Sequence, residues 1–169
     1  MLLIHLGFPH LFTTWIIACI STPSFIILIN GSASPFFHAE RGLRQGCPLS
    51  PLLFLIIMEG LSRLINHEKR RGRLFGLKID DQCYLTHLLF VDDVLIFLDG
   101  SIRDSIAFDK ILAILSKATG MLANHAKSTI TLAHTSAQEY SFAIQHFPYN
   151  IHPLDQGFKY LGFWIKPLS

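Results

Sequence analysis

From Leu88 to Phe97 the chain runs Leu-Leu-Phe-Val, then Asp92 and Asp93, then Val-Leu-Ile-Phe. Short apolar runs rich in β-branched and aromatic residues read as strands. Two residues between them leave room only for a tight hairpin, which places Asp92 and Asp93 at its tip. Asn-Gly or Asp-Gly would serve such a turn better, because both tolerate positive φ. Two carboxylates ~5 Å apart also repel by roughly 3 kcal/mol at an effective dielectric of 20. Two readings follow. The tip reaches solvent and holds nothing, or it holds a hard cation through carboxylate oxygens, for which Mg²⁺ is the usual candidate. The second Asp-Asp pair, Asp80-Asp81, is an internal control: it lies beside Lys78 and Gln82 and reads as a solvated turn.

The surroundings read as alternating helices and strands. Residues 10–20 suit a short buried helix that ends before Pro23. Ser24 to Gly31 suits a strand closing on Asn30-Gly31, with the return strand over Ser34 to Gly42. Ser50 is placed to cap a helix and Pro51 to occupy its first turn. Leu52 to Met58 is apolar all round, which predicts burial on several sides. The basic run from His67 to Arg73 reads as a connector, with Lys69, Arg70, Arg71 and Arg73 free either to meet phosphate or simply to face water. Strands are expected at Phe75–Ile79, Cys83–Val91 and Val94–Leu98. Ser101 with Asp104 resembles a capping box opening a helix whose apolar stripe is Phe108, Ile111, Leu112 and Leu115, and Gly120 ends it. A strand near Ser128–Leu132, a helix near Ser136–His146 and a final strand, Phe158–Ile165, complete the chain. This order predicts an α+β fold with a mainly antiparallel sheet.

Composition narrows the class. Of 169 residues, 50% are hydrophobic and 15% charged, against roughly 25% charged in an ordinary domain. A large core or an uncovered apolar surface is therefore expected. The net charge of +2 neither demands nor excludes nucleic acid. Three widely spaced cysteines and nine histidines without metal-like pairing give no zinc pattern and point to a reduced, intracellular setting. Leu11 to Ile29 lacks charge but is broken by Thr13, Thr14, Ser21, Thr22, Pro23 and Ser24, so no membrane span is expected there.

The stretches RGLRQGCPLSPLLF, LLFVDDVLIF, GMLANHAKS and KYLGFWI, in that order, resemble the reverse transcriptase of non-LTR (LINE-type) retrotransposons of the plant kind. HLGFPHLFTTWI and TPSFIILING resemble it too, so the likeness covers essentially the whole chain. It implies a polymerase palm-like antiparallel sheet, incomplete, with helices packed on one face. Residues 1–169 would be a partial reverse transcriptase domain: palm, a remnant of fingers, and an end at the primer-grip-like strand. By this resemblance Asp92 and Asp93 are catalytic and bind Mg²⁺, with Mn²⁺ as the alternative ion, for two-metal nucleotidyl transfer. Arg44, Gln45, Gly46 and Lys127 would meet the incoming nucleotide and template, although Lys127 also reads as a surface lysine after a turn. Tyr160, Leu161 and Gly162 would be primer-grip-like. Cys47 stands where many relatives carry Asp.

The implied partners are an RNA template, a DNA primer and deoxynucleoside triphosphates, in nucleus or cytoplasm. The resemblance also places another metal-binding Asp on a strand just upstream of the segment Leu6 to Pro9, where this sequence has none. The expectation is a fragment inactive alone, for which a complementing polypeptide is one conceivable partner. Two alternatives remain: a nucleic-acid-binding remnant without chemistry, and an inert product of a decayed retroelement.

Overall fold

A computed structural model describes residues 2–38, 42–44, 46–133 and 136–166. After a single helical turn, α1 (Leu2–His5), helix α2 (His10–Ser21) ends just before Pro23. At 1.5 Å per residue its 12 residues reach about 18 Å. Only Thr13 and Ile16 of α2 are buried, while Leu11, Trp15, Ile17 and Ile20 face outward, so the expected buried helix is not found. The reason is that no described element lies over its outer side.

Strands β1 (Ser24–Phe25), β2 (Leu28–Ile29), β3 (Ser32–Ala33) and β4 (Phe37–His38) follow. β2 and β3 close on Asn30-Gly31, with φ of 51° and 84°, as the Asn-Gly signal predicts.

Helix α3 (Leu49–Arg70) starts and stops outside its expected bounds. Pro48 precedes it, and Ser50 is already helical; its Oγ donates to the Arg44 carbonyl at 2.7 Å instead of capping. At the other end the helix runs through the basic stretch. Lys69 and Arg70 lie in its last turn, where cations complement the exposed carbonyls. The apolar start is buried on one side only: Leu53 and Met58 are covered, whereas Leu52 and Leu55 are each 58% exposed. By length and composition α3 could cross a bilayer; here its inner stripe packs on protein.

Beyond α3, β5 (Leu77–Lys78) pairs antiparallel with β6 (Tyr84–Leu85) around the solvated Asp80-Asp81 turn, where Lys78 Nζ donates to Asp81 at 2.7 Å. β7 (His87–Phe90) pairs antiparallel with β8 (Asp93–Ile96). Helix α4 (Ile102–Thr119) begins at Ser101, whose hydroxyl accepts from the Asp104 amide, and ends on Gly120 at φ 72°. The core lies where α3, α4 and the inner side of the β7–β8 hairpin meet. Met58, Leu61, Ile65, Leu74, Ala107 and Ile111 are buried there, with Leu89 and Ile96 packed against them. Ile111, Phe108, Leu112 and Leu115 turn inward and Arg103, Lys110 and Lys117 outward, as the stripe requires.

β9 (Thr129–Leu132), α5 (Ala137–His146) and β10 (Asn150–Pro153) form a strand–helix–strand unit with its two strands parallel. β10 and the parallel pairing are absent from the sequence expectation. The last segment is two strands, not one: β11 (Phe158–Tyr160) and β12 (Phe163–Ile165) turn at Leu161-Gly162. The mixture of helices and antiparallel pairs agrees with an α+β fold. Among the described residues the strands form six separate two-stranded ladders, five antiparallel and one parallel, and not one continuous sheet.

Candidate functional site

The register of the central hairpin differs from the sequence expectation by one residue on each strand. Phe90 pairs with Asp93, so the turn is Val91-Asp92 and Asp93 belongs to the ladder. Val91 carries φ of 52°. A two-residue hairpin needs positive φ at its first turn position, because only primed turns match the right-handed twist of the strands. Here a β-branched residue takes that conformation, at a cost of order 1–2 kcal/mol. Residues opposite each other share a face, so His87, Leu89, Val94 and Ile96 form the inner side. Leu88, Phe90, Asp93 and Leu95 form the outer side. Asp92 thus sits at the apex and Asp93 on the outer side beside Phe90. Leu88, Phe90, Val91 and Val94 are exposed. The inner face is covered at its base, where Leu89 and Ile96 pack on the core; toward the tip even Val94 is open, and on the outer side Leu95 is part-covered.

Both aspartates are exposed. Among the described residues neither carboxylate accepts a hydrogen bond, and neither pairs with a cation. That sets them apart from the other carboxylates near the hairpin. Asp99 binds Arg103 and the Ser101 amide. Asp104, fully buried, accepts from the amides of Phe75, Gly76 and Asp99. Two unspoken-for hard oxygen groups suit one Mg²⁺, which keeps several waters and needs one or two carboxylates. No described cluster of three or more His, Cys, Asp or Glu could hold a metal.

The other expected residues are placed as follows. Arg44 is exposed, and its carbonyl is the acceptor that ties the loop to the start of α3. Gln45 lies outside the described residues. Gly46 has φ of 78° with open space where a side chain would stand, so a flat group can approach its backbone. The thiol of Cys47 has its pKa lowered, chiefly by the Leu49 backbone hydrogen bond, with burial opposing. Lys127 is exposed in a turn built by Asn124, whose Oδ1 accepts from the Ala126 and Lys127 amides. Tyr160 ends β11, and Leu161 and Gly162 form a tight turn with φ of 49° and 84°. No hydrogen bond or ion pair among the described residues links any of these to Asp92 or Asp93.

Two residues matter that the motifs did not single out. Asp104 reads in sequence as a cap; its carboxylate is instead an internal staple. His87 is bonded on both ring nitrogens, to Ser62 and Thr86. The alternation of the strand carries the signal for it, since His87 falls on the same side as Leu89.

The family described as reverse transcriptase (RNA-dependent DNA polymerase) matches residues 3–165. An uncharacterized mitochondrial protein of Arabidopsis thaliana is 42% identical over 69 residues, which are 40% of this chain and 57% of that protein. A retrovirus-related Pol polyprotein from the type-1 retrotransposable element R2 of Popillia japonica is 32% identical over 76 residues, 45% of this chain and 12% of the polyprotein. The corresponding type-2 R2 polyprotein of Drosophila melanogaster is 32% identical over 87 residues, 52% and 8% respectively. The chain thus spans less than two thirds of each of these relatives.

Proposed function

The chain belongs to the reverse transcriptase (RNA-dependent DNA polymerase) family, and from that premise we propose that residues 1–169 are the palm part of an RNA-directed DNA polymerase, with a remnant of its fingers. Asp92 and Asp93 hold a divalent ion, Mg²⁺ or Mn²⁺. The observation that carries this is the hairpin turn itself: two exposed carboxylates without a partner among the described residues, presented by a strained Val91. When bound, such ions lower the pKa of an attacking 3′-hydroxyl and neutralise charge on departing pyrophosphate. Asp92 at the apex is the principal ligand, and Asp93 orients it or shares the ion. Gly46 leaves backbone open to a base or sugar, and Lys127, exposed, offers its ammonium to phosphate. Tyr160 to Gly162 present a turn to a primer backbone. The substrates on this reading are an RNA template, a DNA primer and deoxynucleoside triphosphates.

Two ions in one site need more carboxylate than one hairpin supplies, and the described residues add no further ligand cluster. The 169 residues alone are therefore expected not to extend a primer. Incubation with primed RNA, triphosphates and Mg²⁺ tests this; robust extension that vanishes in Asp92→Ala would overturn it. The ion site has its own test. Mn²⁺ should broaden the amide signals of Val91 to Val94, and Asp92→Asn should abolish the broadening. Equal broadening in the variant removes the site.

A second reading, nucleic-acid binding without chemistry, is favoured by Arg70 and Arg71, which have no acidic partner among the described residues. Half of the basic patch is otherwise engaged: Arg73 pairs with Glu68, and Lys69 Nζ donates to the Tyr84 carbonyl. Arg70→Ala with Arg71→Ala would weaken binding of single-stranded RNA and flatten its salt dependence. Binding indifferent to both changes refutes this reading.

A further inference from the structure

His87 stands five residues before Asp92, on the inner side of the hairpin, between two hydroxyls. Its Nε2 lies 2.9 Å from Ser62 Oγ on α3, and its Nδ1 lies 2.9 Å from Thr86 Oγ1. Thr86 is buried, and its carbonyl accepts from the Phe97 amide, extending the ladder at the base of the hairpin. Three residues earlier, Lys69 Nζ donates to the Tyr84 carbonyl at 2.8 Å. One helix thus grips the strand run 84–90 at two points, and the far end of that run enters the Val91-Asp92 turn.

A serine–histidine contact of this length also begins many nucleophile–base pairs. Ser62 cannot be used that way. It sits in the interior of α3, where neighbouring amides are spent on the helix's own carbonyls. No donor is left there for an oxyanion. What the contact does is join a titratable ring to the foot of the aspartate-bearing hairpin.

We propose that Ser62, His87 and Thr86 form a proton-responsive clamp: neutral His87 holds the hairpin against α3, and protonation loosens that hold, so that the position of the Val91-Asp92 turn follows the charge on His87. In the neutral ring one nitrogen donates and the other accepts. Each hydroxyl can do either, and Asn66 Nδ2 on α3 donates to Ser62 Oγ at 3.5 Å, which leaves the Ser62 proton for His87, so the Thr86–His87–Ser62 chain closes with every group satisfied. A protonated ring donates from both nitrogens and forces both hydroxyls to accept, which leaves their own protons to find other partners in a half-buried space. The groups facing His87 are Ser62 and Lys69 from α3, Thr86 from its own strand run, and Ile96 across the ladder. Burial, and after it the Lys69 charge, lower the pKa of the ring below its ordinary 6.5. The sign follows. Above the unfolded value both states are neutral and the clamp is whole; as pH falls through that value toward the folded one, the unclamped state takes the proton first and the hold is lost.

Proton–nitrogen correlation spectra of the ¹⁵N-labelled chain between about pH 5 and 8 test the proposal, in a range above ordinary carboxylate titration. The amides of Val91 to Val94 should shift with the same midpoint as the His87 ring, below 6.5. In His87→Gln that transition should disappear. In Ser62→Ala the ring should still titrate, nearer its ordinary value, while the turn amides cease to follow it. Turn amides that stay fixed as the wild-type ring titrates overturn the clamp, as does an unchanged transition in His87→Gln. If neither variant folds, the comparison of midpoints in the wild type decides alone. Any consequence for ion binding rests on the metal-site reading. The clamp is read without metal, so loss of one leaves the other standing.

Discussion

Replacing Asp104 by alanine should be among the most damaging single changes in this chain, although Asp104 lies outside every stretch that carries the family resemblance. Its carboxylate is fully buried at the start of α4. It accepts from the Phe75 amide at 3.0 and 3.1 Å, from the Gly76 amide at 3.0 Å and from the Asp99 amide at 3.2 Å. One side chain therefore joins the segment after α3, the end of the hairpin and the first turn of α4. Alanine leaves three amides without an acceptor. Each buried unsatisfied donor costs about 1–3 kcal/mol. Only the Gly76 bond is wholly buried; the Phe75 and Asp99 amides are partly buried and recruit water. The carboxylate's own desolvation cost is recovered, which offsets part of the loss. A net cost of about 3 kcal/mol follows, a large share of the ~5–15 kcal/mol that holds a typical domain. In urea, with a slope near 2 kcal/mol/M, the midpoint should fall by about 1.5 M. Amide exchange at Phe75 and Gly76 should accelerate in step. Asp80→Ala, in the solvated turn, should change the stability by less than about 0.5 kcal/mol. A loss below about 1 kcal/mol in Asp104→Ala would mean that the three amides are content with water and the staple reasoning fails.

Other outcomes follow from the same geometry. Val91→Asn, which tolerates the left-handed region, should stabilise the hairpin by about 1 kcal/mol in a thermal melt; no gain would mean Val91 is not strained. The Tyr149 hydroxyl has its pKa raised by burial and, secondarily, by Asp109. The folded state therefore favours its neutral form: its contribution is complete below about 10 and is lost as pH rises through the folded value. Tyr149→Phe should remove that alkaline loss, and an unchanged pH profile would contradict it. Trp15→Lys, on the outer side of α2, should reduce binding of a hydrophobic dye without lowering the melting temperature. A fall in both would show Trp15 to be part of the core.

Much of the local structure was legible because its signals are short-range. The Asn30-Gly31 turn, the Ser101 start and Gly120 stop of α4, and the inward stripe through Ile111 each depend on residues within a few positions of one another. The end of α2 before Pro23 belongs with them. The failures share a different origin. Ser50 looked like a cap because of its type and spacing, but the Arg44 carbonyl claimed its hydroxyl. The basic stretch after Asn66 looked like a connector, but α3 continued through it to Arg70. Leu161-Gly162 interrupted what the hydrophobic pattern read as one strand.

The sequence by itself determined that two apolar runs fold back on each other near Asp92 and Asp93, because so short a polar interruption leaves room only for a tight turn. Tertiary structure decided which residue bears the strain of the turn, which face of the hairpin is covered, and that Asp104 and His87 are fastenings and not surface groups. The fastenings at Asp104 and His87 depend on contacts with residues 25 to 29 positions away. No local pattern encodes whether a hydroxyl or an amide will be waiting there.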